Sequence, residues 1–351
     1  MNTPSVAWRL FRRRRRRLNL ALQGGGAHGA YTWGVLDALA GCEALAFEGL
    51  SGSSAGAVNA VLYAEGWRRD GRAGARRALA DFWLTLAARV PSEWMVRGEG
   101  EQIALSPAAH WMMRWLGQFS PEQINPTNRD ALRELLAEQV DFAALRAHSP
   151  FKLFIAATQV SSGKLRLFRE TELTLDALVA STCLPRLHHP VTIGGEAYWD
   201  GGYAANPAVF PLVADCDSAD ILLVLLNPLR RHEPPQGVAA IDERTLELAF
   251  GAGLMREMAA IVQAGDVARG GWGRSWGFSG RLERRLNALR FHMIDTQDLA
   301  SVQRGETRLI AHGPFLELLR DQGHARAQAW IAAHERDVGA RTTVDLRRWF
   351  V

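Results

Sequence analysis

The sequence predicts an α/β fold: a three-layer sandwich with a mostly parallel central sheet flanked by helices, followed by a mainly helical C-terminal extension. Twice before residue 70, a short apolar run enters a glycine-rich turn and then a helical pattern. Consecutive strand–turn–helix units imply parallel strands covered by helices. A continuous apolar run at 221–226 indicates a further, fully buried strand. Helical periodicity dominates the chain after residue 237.

The predicted elements follow the chain in a simple order. Strands are expected at 18–22, 47–50, 151–158, 165–168 and 221–226, with a hairpin at 191–199 around two glycines. Helices are expected at 27–40, 57–67, 72–90, 128–140 with Asn128 as its cap, and 315–334. A proline-rich connector at 228–237 separates a main domain, residues 18–230, from the extension, residues 231–351, packed on or beside it.

Two segments fit this scheme less simply. The stretch 94–115 is rich in Trp and Met, and either packs into the core or forms an apolar lid or membrane-facing surface, because Trp favours interfaces with one wet end. The stretch 270–280 mixes glycines with aromatic residues and is predicted to be a loop.

The composition indicates a folded chain whose basic charge is local. Of the 351 residues 48% are hydrophobic, and the formal net charge is +4. Six arginines form one run, Arg12 to Arg17, and the rest of the chain is net negative. We therefore expect no nucleic-acid partner. The run belongs to a basic N-terminal arm, residues 1–17, that is either flexible without a partner or in contact with anionic lipid headgroups.

Cysteine usage and hydropathy indicate a compartment. Cys42, Cys183 and Cys216 are an odd number without metal-ligand spacing, which argues against a disulfide framework and for a reducing environment. The apolar stretch after the arginines is interrupted by Asn19 and is too short for a signal peptide. The run at 221–226 is far below the roughly 20 residues of a membrane-spanning helix. We expect a cytoplasmic protein whose arginine run either has no partner or makes peripheral contact at the inner membrane surface.

The turn after the second strand has the pattern Gly-x-Ser-x-Gly, from Gly52 to Gly56 with Ser54 at its centre. A serine on a sharp strand-to-helix turn exposes its hydroxyl above the sheet edge, and the flanking glycines let the chain fold back tightly. Ser51 and Ser53 lack glycines on both sides. Ser54 is therefore the candidate nucleophile.

The turn after the first strand is rich in glycine: Gly24, Gly25, Gly26 and Gly29 surround Ala27 and His28. Such a backbone can aim several N–H groups at one point near a helix N-terminus, as an ester oxyanion requires. The same spacing fits a dinucleotide-binding loop. Because the second strand runs into a serine turn, we favour the oxyanion interpretation over a nucleotide-binding one.

A serine hydroxyl needs a base to remove its proton. Asp200, followed by Gly201 and Gly202, is expected at the end of the 191–199 hairpin, where glycines allow close approach. Histidine is the alternative base, in an arrangement of the α/β-hydrolase kind, although such a protein usually has more strands before its serine. The candidates are His28, His188, His189, His292, His312, His324 and His334.

Three elements, taken in chain order, resemble the patatin-like phospholipase family: Gly24 to Gly29, Gly52 to Gly56, and Asp200 to Gly202. The segment from Ala180 to Pro185 and the stretch from Tyr198 to Gly202, with Asn206-Pro207 after it, extend the resemblance over residues 18–230. Parts of the C-terminal region are similar to the extension of a bacterial subgroup.

The resemblance implies a Ser-Asp dyad without histidine. Ser54 would be the nucleophile, Asp200 the proton acceptor, and Gly24 to Gly26 the oxyanion hole, acting on lipid acyl esters without metal or organic cofactor. Many members carry Arg or Lys where His28 stands, so His28 is a candidate modulator whose charge would depend on pH. A membrane-surface or scaffold protein with little turnover is the alternative function.

Overall fold

The computed structural model describes residues 15–90, 93–231, 233–270 and 280–351. The strands are β1 (Arg16–Leu22), β2 (Leu45–Gly52), β3 (Val96–Arg97), β4 (Ala104–Leu105), β5 (Lys152–Gln159), β6 (Leu165–Arg169), β7 (Val191–Ile193), β8 (Glu196–Asp200), β9 (Asp220–Val224) and β10 (Arg290–Ile294). The α-helices are α1 (Gly29–Gly41), α2 (Ala55–Arg89), α3 (Pro107–Leu116), α4 (Pro121–Ile124), α5 (Ala131–Gln139), α6 (Phe142–His148), α7 (Leu175–Ser181), α8 (Phe210–Asp215), α9 (Val238–Gly270), α10 (Arg281–Ala288), α11 (Gly313–His334) and α12 (Leu346–Phe350).

A single large sheet organises these elements, in the order β10-β9-β1-β2-β5-β8-β7, with β6 also paired to β5. The strands from β10 to β5 run parallel, and the antiparallel pairs lie at the other end of the sheet. The turns that follow β1 and β2 therefore leave the sheet at the same edge, side by side. This edge carries the candidate site.

Apolar side chains cover both faces of the sheet. In β9, Leu222 and Val224 pack into a core with α1, α2 and α11, whereas Ile221 and Leu223 pack with α8, α9 and α12 on the opposite face. All four are completely buried, and burial stabilises each by about 1.5–3 kcal/mol. The period-two alternation of a strand buried on both faces explains the continuous apolar run in the sequence.

The helices differ from the predictions mainly at their ends. The two helices predicted at 57–67 and 72–90 are both present within α2, on either side of a kink at Asp70 and Gly71, where the backbone is not helical. The helix predicted from Asn128 begins at Ala131, because the side chain of Asp130 caps it by accepting from the amides of Leu132 and Arg133. Asn128 instead adopts a left-handed turn with φ of 50°.

The Trp-rich segment, residues 94–115, packs into the core only in part. Trp94, Trp111 and Trp115 are 51%, 68% and 52% exposed, although Ile103 and Ala109 of the same segment are buried. The tryptophans therefore line an outer surface.

The region after residue 230 contributes to the sheet as well as to its cover. β10 extends the parallel part of the sheet by pairing with β9, and α11 packs on α1 through the core. The predicted boundary at residue 230 thus does not divide the sheet into separate units. Strand β1 likewise includes Arg16 and Arg17, so the predicted arm, residues 1–17, overlaps the strand by two residues.

The other predictions for the arm, and for the loop at 270–280, concern residues that lie almost wholly outside the described ranges. Within those ranges, no helix combines the length and the apolar character needed to cross a membrane. Cys42, Cys183 and Cys216 are free thiols.

Candidate active site

Ser54 occupies the sharp turn between β2 and α2. Its backbone angles are φ 54° and ψ −128°, a strained conformation for a residue with a side chain. Its amide is held by the carbonyl oxygen and the hydroxyl of Ser181, each at 3.1 Å. Gly56 packs so closely on the end of β1 that a Cβ atom there would lie 2.2 Å from the carbonyl oxygen of Leu22. The strained turn is thus fixed at the carboxyl end of β2.

The neighbouring serines have structural contacts instead. The hydroxyl of Ser51 donates to the carbonyl of Ala208 at 2.6 Å, and that of Ser53 donates to the carbonyl of Ala205 at 2.5 Å. Both serines are completely buried, whereas Ser54 is half-buried. Of the three, Ser54 is the one placed to meet a substrate.

The glycine loop after β1 lies directly against Ser54. A methyl group on Gly24 would lie 2.6 Å from the Cβ atom of Ser54. The amide of Gly24 donates to Oδ1 of Asn206 at 2.7 Å, so this predicted oxyanion donor is already occupied. Among the described residues, no acceptor is paired with the amides of Gly25 and Gly26. The loop therefore offers two amides rather than three.

Asp200 lies at the end of β8 and its side chain is completely buried. Its backbone is fixed on both sides. Its amide donates to the carbonyl oxygen of Cys183 at 2.8 Å, and its carbonyl oxygen accepts from the Thr158 hydroxyl at 2.8 Å. Oδ1 accepts from the amide of Gly202 at 2.7 Å. Oδ2 is also buried, and it has no hydrogen-bond partner among the described residues. That oxygen is the one available to accept a proton.

Burial raises the pKa of Asp200 to about 7, against the opposing effects of the hydrogen bond from the Gly202 amide and of the neighbouring Ser54 side chain. The Ser54 side chain lies close enough to the carboxylate to lower its pKa, although Oδ2 accepts no hydrogen bond from a described residue. A carboxyl group with this pKa is a much stronger base than an ordinary aspartate, and about half of it is ionised at pH 7. The arrangement can therefore activate the serine hydroxyl.

His28 is buried behind the glycine loop. Burial, followed by the charge of Arg308, holds the pKa of His28 well below its ordinary value. The side chain is thus neutral at physiological pH, and the pH-dependent charge expected of it is absent. Its Nε2 atom lies 2.7 Å from Oγ1 of Thr307.

Other histidines considered as bases are engaged elsewhere. His189 bonds to the carbonyl of Asn125 and His292 to Asp220. His324 and His334 pair with Asp37 and Asp337 on the outer helices. His188 lines a polar cavity of about 330 Å³ together with Thr182 and Cys183. The carboxylate of Asp200, in contrast, is near enough to the Ser54 side chain for Ser54 to influence its pKa.

Sequence reasoning missed the residues that hold the loops together. Gln23 accepts through Oε1 from the amides of Leu226 and Asn227 at 2.7 and 2.9 Å, and donates to the carbonyl of Asn206 at 3.2 Å. Asn206 then binds the Gly24 amide. The signal in the sequence is that both residues are polar and lie next to the predicted motifs. Polar side chains that are buried at such places are nearly always hydrogen-bonded.

The structure is thus an α/β protein in which a strained serine lies near a glycine loop and a buried aspartate, at the carboxyl edge of the parallel part of the sheet. The family model described as patatin-like phospholipase matches residues 20–213, more than half of the chain. The chain therefore belongs to the patatin-like phospholipase family, and the predicted family and fold class are confirmed.

Comparison with solved structures gives a distant match to VipD from Legionella pneumophila. The identity is 16% and the TM-score 0.41, over 90% of this chain and 67% of the VipD chain. No match was found among curated proteins. In the described parts of the chain, no group of three or more His, Cys, Asp or Glu residues is arranged to hold a metal ion.

Proposed function

We propose that this protein is a serine acyl hydrolase that cleaves lipid acyl esters, as a phospholipase A, lysophospholipase or lipid esterase, with Ser54 as nucleophile and Asp200 as base. The observation that carries the proposal is a strained, half-buried serine that lies close enough to a fully buried aspartate to influence its pKa, which burial raises to about 7. Family membership supports a lipid substrate.

The first half of the reaction forms an acyl-enzyme. As Oγ of Ser54 attacks the ester carbonyl carbon, Oδ2 of Asp200 takes the hydroxyl proton, and the carbonyl oxygen becomes an oxyanion. The amides of Gly25 and Gly26, which have no acceptor among the described residues, are the donors assigned to that oxyanion. The intermediate then expels the alcohol, which leaves with the proton from Asp200.

The second half releases the fatty acid. Asp200, again ionised, takes a proton from a water molecule as that water attacks the acyl carbonyl. The new oxyanion occupies the same two amides, and collapse of the intermediate returns the proton to Oγ of Ser54. One carboxylate thus acts as base and then acid in each half, without a histidine.

Labelling with a fluorophosphonate probe tests the assignment of the nucleophile. We expect one phosphonylated peptide, containing Ser54, after digestion and mass spectrometry, because the probe reacts with serines that are activated by a base. Hydrolysis of phospholipid and lysophospholipid vesicles would then define the substrate. A protein that neither reacts with the probe nor hydrolyses any ester would be a scaffold on this fold, contrary to the proposal.

The pH dependence of activity follows from the raised pKa of Asp200. The base must be ionised, so kcat/KM should fall about tenfold per pH unit below a midpoint near 7 and level off above it. Initial rates on a short-chain nitrophenyl ester between pH 5 and 9 measure this. A midpoint near 4, the ordinary value for aspartate, would contradict the role given to burial.

A further inference from the structure

The turn Gly305–Leu309, in the C-terminal region, packs against the glycine loop beside Ser54. Gly26 has a φ of 59°, and a Cβ atom there would lie 2.4 Å from the carbonyl oxygen of Arg308. Only glycine fits this conformation and this gap without strain. The backbone of the turn is therefore the surface on which the loop rests.

A side-chain hydrogen bond joins the same two segments. The hydroxyl of Thr307 donates to the carbonyl of Arg304 at 2.7 Å, so towards His28 it acts as an acceptor. Nε2 of His28, 2.7 Å from Oγ1 of Thr307, then carries the ring proton and donates it. Because His28 is neutral, the bond does not depend on protonation of the ring within the physiological range.

Buried charges fix the turn in place. The side chain of Glu247, in α9, is 3% exposed and lies 3.0 Å from the guanidinium of Arg308, which is itself 17% exposed. Glu247 also pairs with Arg231 and Arg244. Glu243, one helical turn earlier, accepts from the amide of Gly305. Both ends of the turn are thus tied to α9, at Arg308 by the buried carboxylate of Glu247 and at Gly305 by the half-buried carboxylate of Glu243.

We propose that Thr307, Arg308 and Glu247 are positioning residues of the hydrolase, which hold the turn Gly305–Leu309 as a support that keeps the amides of Gly25 and Gly26 aimed at the oxyanion. This inference rests on the proposed function. A run of three glycines has little conformational preference of its own, and oxyanion donors are effective only when they are held in place before the reaction. The C-terminal region is, on this view, part of the active site.

A positioning role differs measurably from ordinary packing. An ion pair that only stabilises the fold changes the melting temperature and leaves the rate constants of the folded enzyme unchanged. A group that aims the oxyanion donors acts in the transition state, so its loss lowers kcat with little change in KM. It also loosens the loop, which amide hydrogen exchange detects directly.

The test compares four variants with a matched control. Glu247→Gln and Arg308→Met remove the anchor, Arg308→Lys keeps its charge, and Thr307→Val removes one hydroxyl. The control is Asp220→Asn, which disturbs another largely buried ion pair, with Arg290 at 2.9 Å. Asp220 and Arg290 lie at the amino ends of β9 and β10, at the edge of the sheet opposite the site.

Each protein is measured well below its melting temperature, by ester hydrolysis and by hydrogen exchange of the peptide covering residues 23–29. We expect Glu247→Gln and Arg308→Met to lower kcat about 10- to 100-fold with KM within about twofold, and to accelerate exchange in the loop. Arg308→Lys should recover most of kcat, and Thr307→Val should lose several-fold. Asp220→Asn should melt earlier without either change.

Two results would overturn the inference. One is unchanged exchange of the loop in both anchor variants; the other is a loss of kcat in Asp220→Asn that matches theirs at equal loss of melting temperature. If the unaltered protein hydrolyses no ester, the proposed function fails. The exchange measurement then still decides whether the turn holds the glycine loop.

Discussion

Replacement of Ser54 by alanine should reduce ester hydrolysis to the background rate without unfolding the protein. The substitution removes only the nucleophilic oxygen, and loss of a serine nucleophile lowers kcat by about 10⁶-fold in an enzyme whose groups act as a unit. The Ser54 side chain makes no capping hydrogen bond to α2, and alanine meets the same backbone strain at this position. Steady-state kinetics and a thermal melt, measured together, give both quantities.

Ser53 provides the matched control, because it is the adjacent residue and has the same side chain. Its hydroxyl donates to the carbonyl of Ala205, so Ser53→Ala should destabilise the fold by about 1 kcal/mol. At a temperature where both variants are folded, it should retain turnover within a few-fold. Turnover in Ser54→Ala, or an equal loss in Ser53→Ala, would remove Ser54 from the role of nucleophile.

The parts of the site that sequence could predict are those encoded locally. The strand–turn–helix pattern places Ser54 and the glycine loop, because an apolar run, a glycine turn and a helical period each lie within about ten residues. Parallel strands then bring the two turns to one sheet edge. The hairpin before Asp200 follows from its two central glycines in the same way.

What could not be predicted depends on contacts between distant segments. The partner of the Gly24 amide, Asn206, lies 182 residues away, and no local pattern shows that one of three apparent oxyanion donors is occupied. The pKa of His28 is set by burial under a turn that begins at residue 305. Strand β10 could not be predicted because it is only five residues long and lies between helices in the sequence. Periodicity alone therefore favours a helical region there.

Replacement of Asp200 by asparagine should abolish activity. An amide cannot take the proton of Ser54, and a general base contributes about 10²- to 10⁴-fold to the rate. The oxygen of the amide can still accept from Gly202, so the local fold is preserved. Kinetics on the nitrophenyl ester measure the loss; a variant with wild-type kcat would show that another group is the base.

The same substitution should stabilise the protein at alkaline pH. In the folded state the pKa of Asp200 is about 7, whereas in the unfolded chain it is about 3.9. Below pH 4 the group is protonated in both states. As the pH rises to about 7 the unfolded state gains by releasing the proton, so the wild type loses stability, by about 4 kcal/mol in all. Asparagine has no proton to release and avoids this loss.

Urea unfolding of both proteins at pH 4.5 and pH 8.5 measures the difference. The free energy of unfolding of Asp200→Asn, relative to wild type, should increase by a few kcal/mol between the two conditions. A relative free energy that is constant with pH would mean that Asp200 ionises as freely in the folded protein as in the unfolded chain. An aspartate kept for stability would show the reverse trend, because its charge would be paired. We expect Asp200 to destabilise the fold at the pH where it acts as a base. Such a cost is typical of a residue that is retained for chemistry.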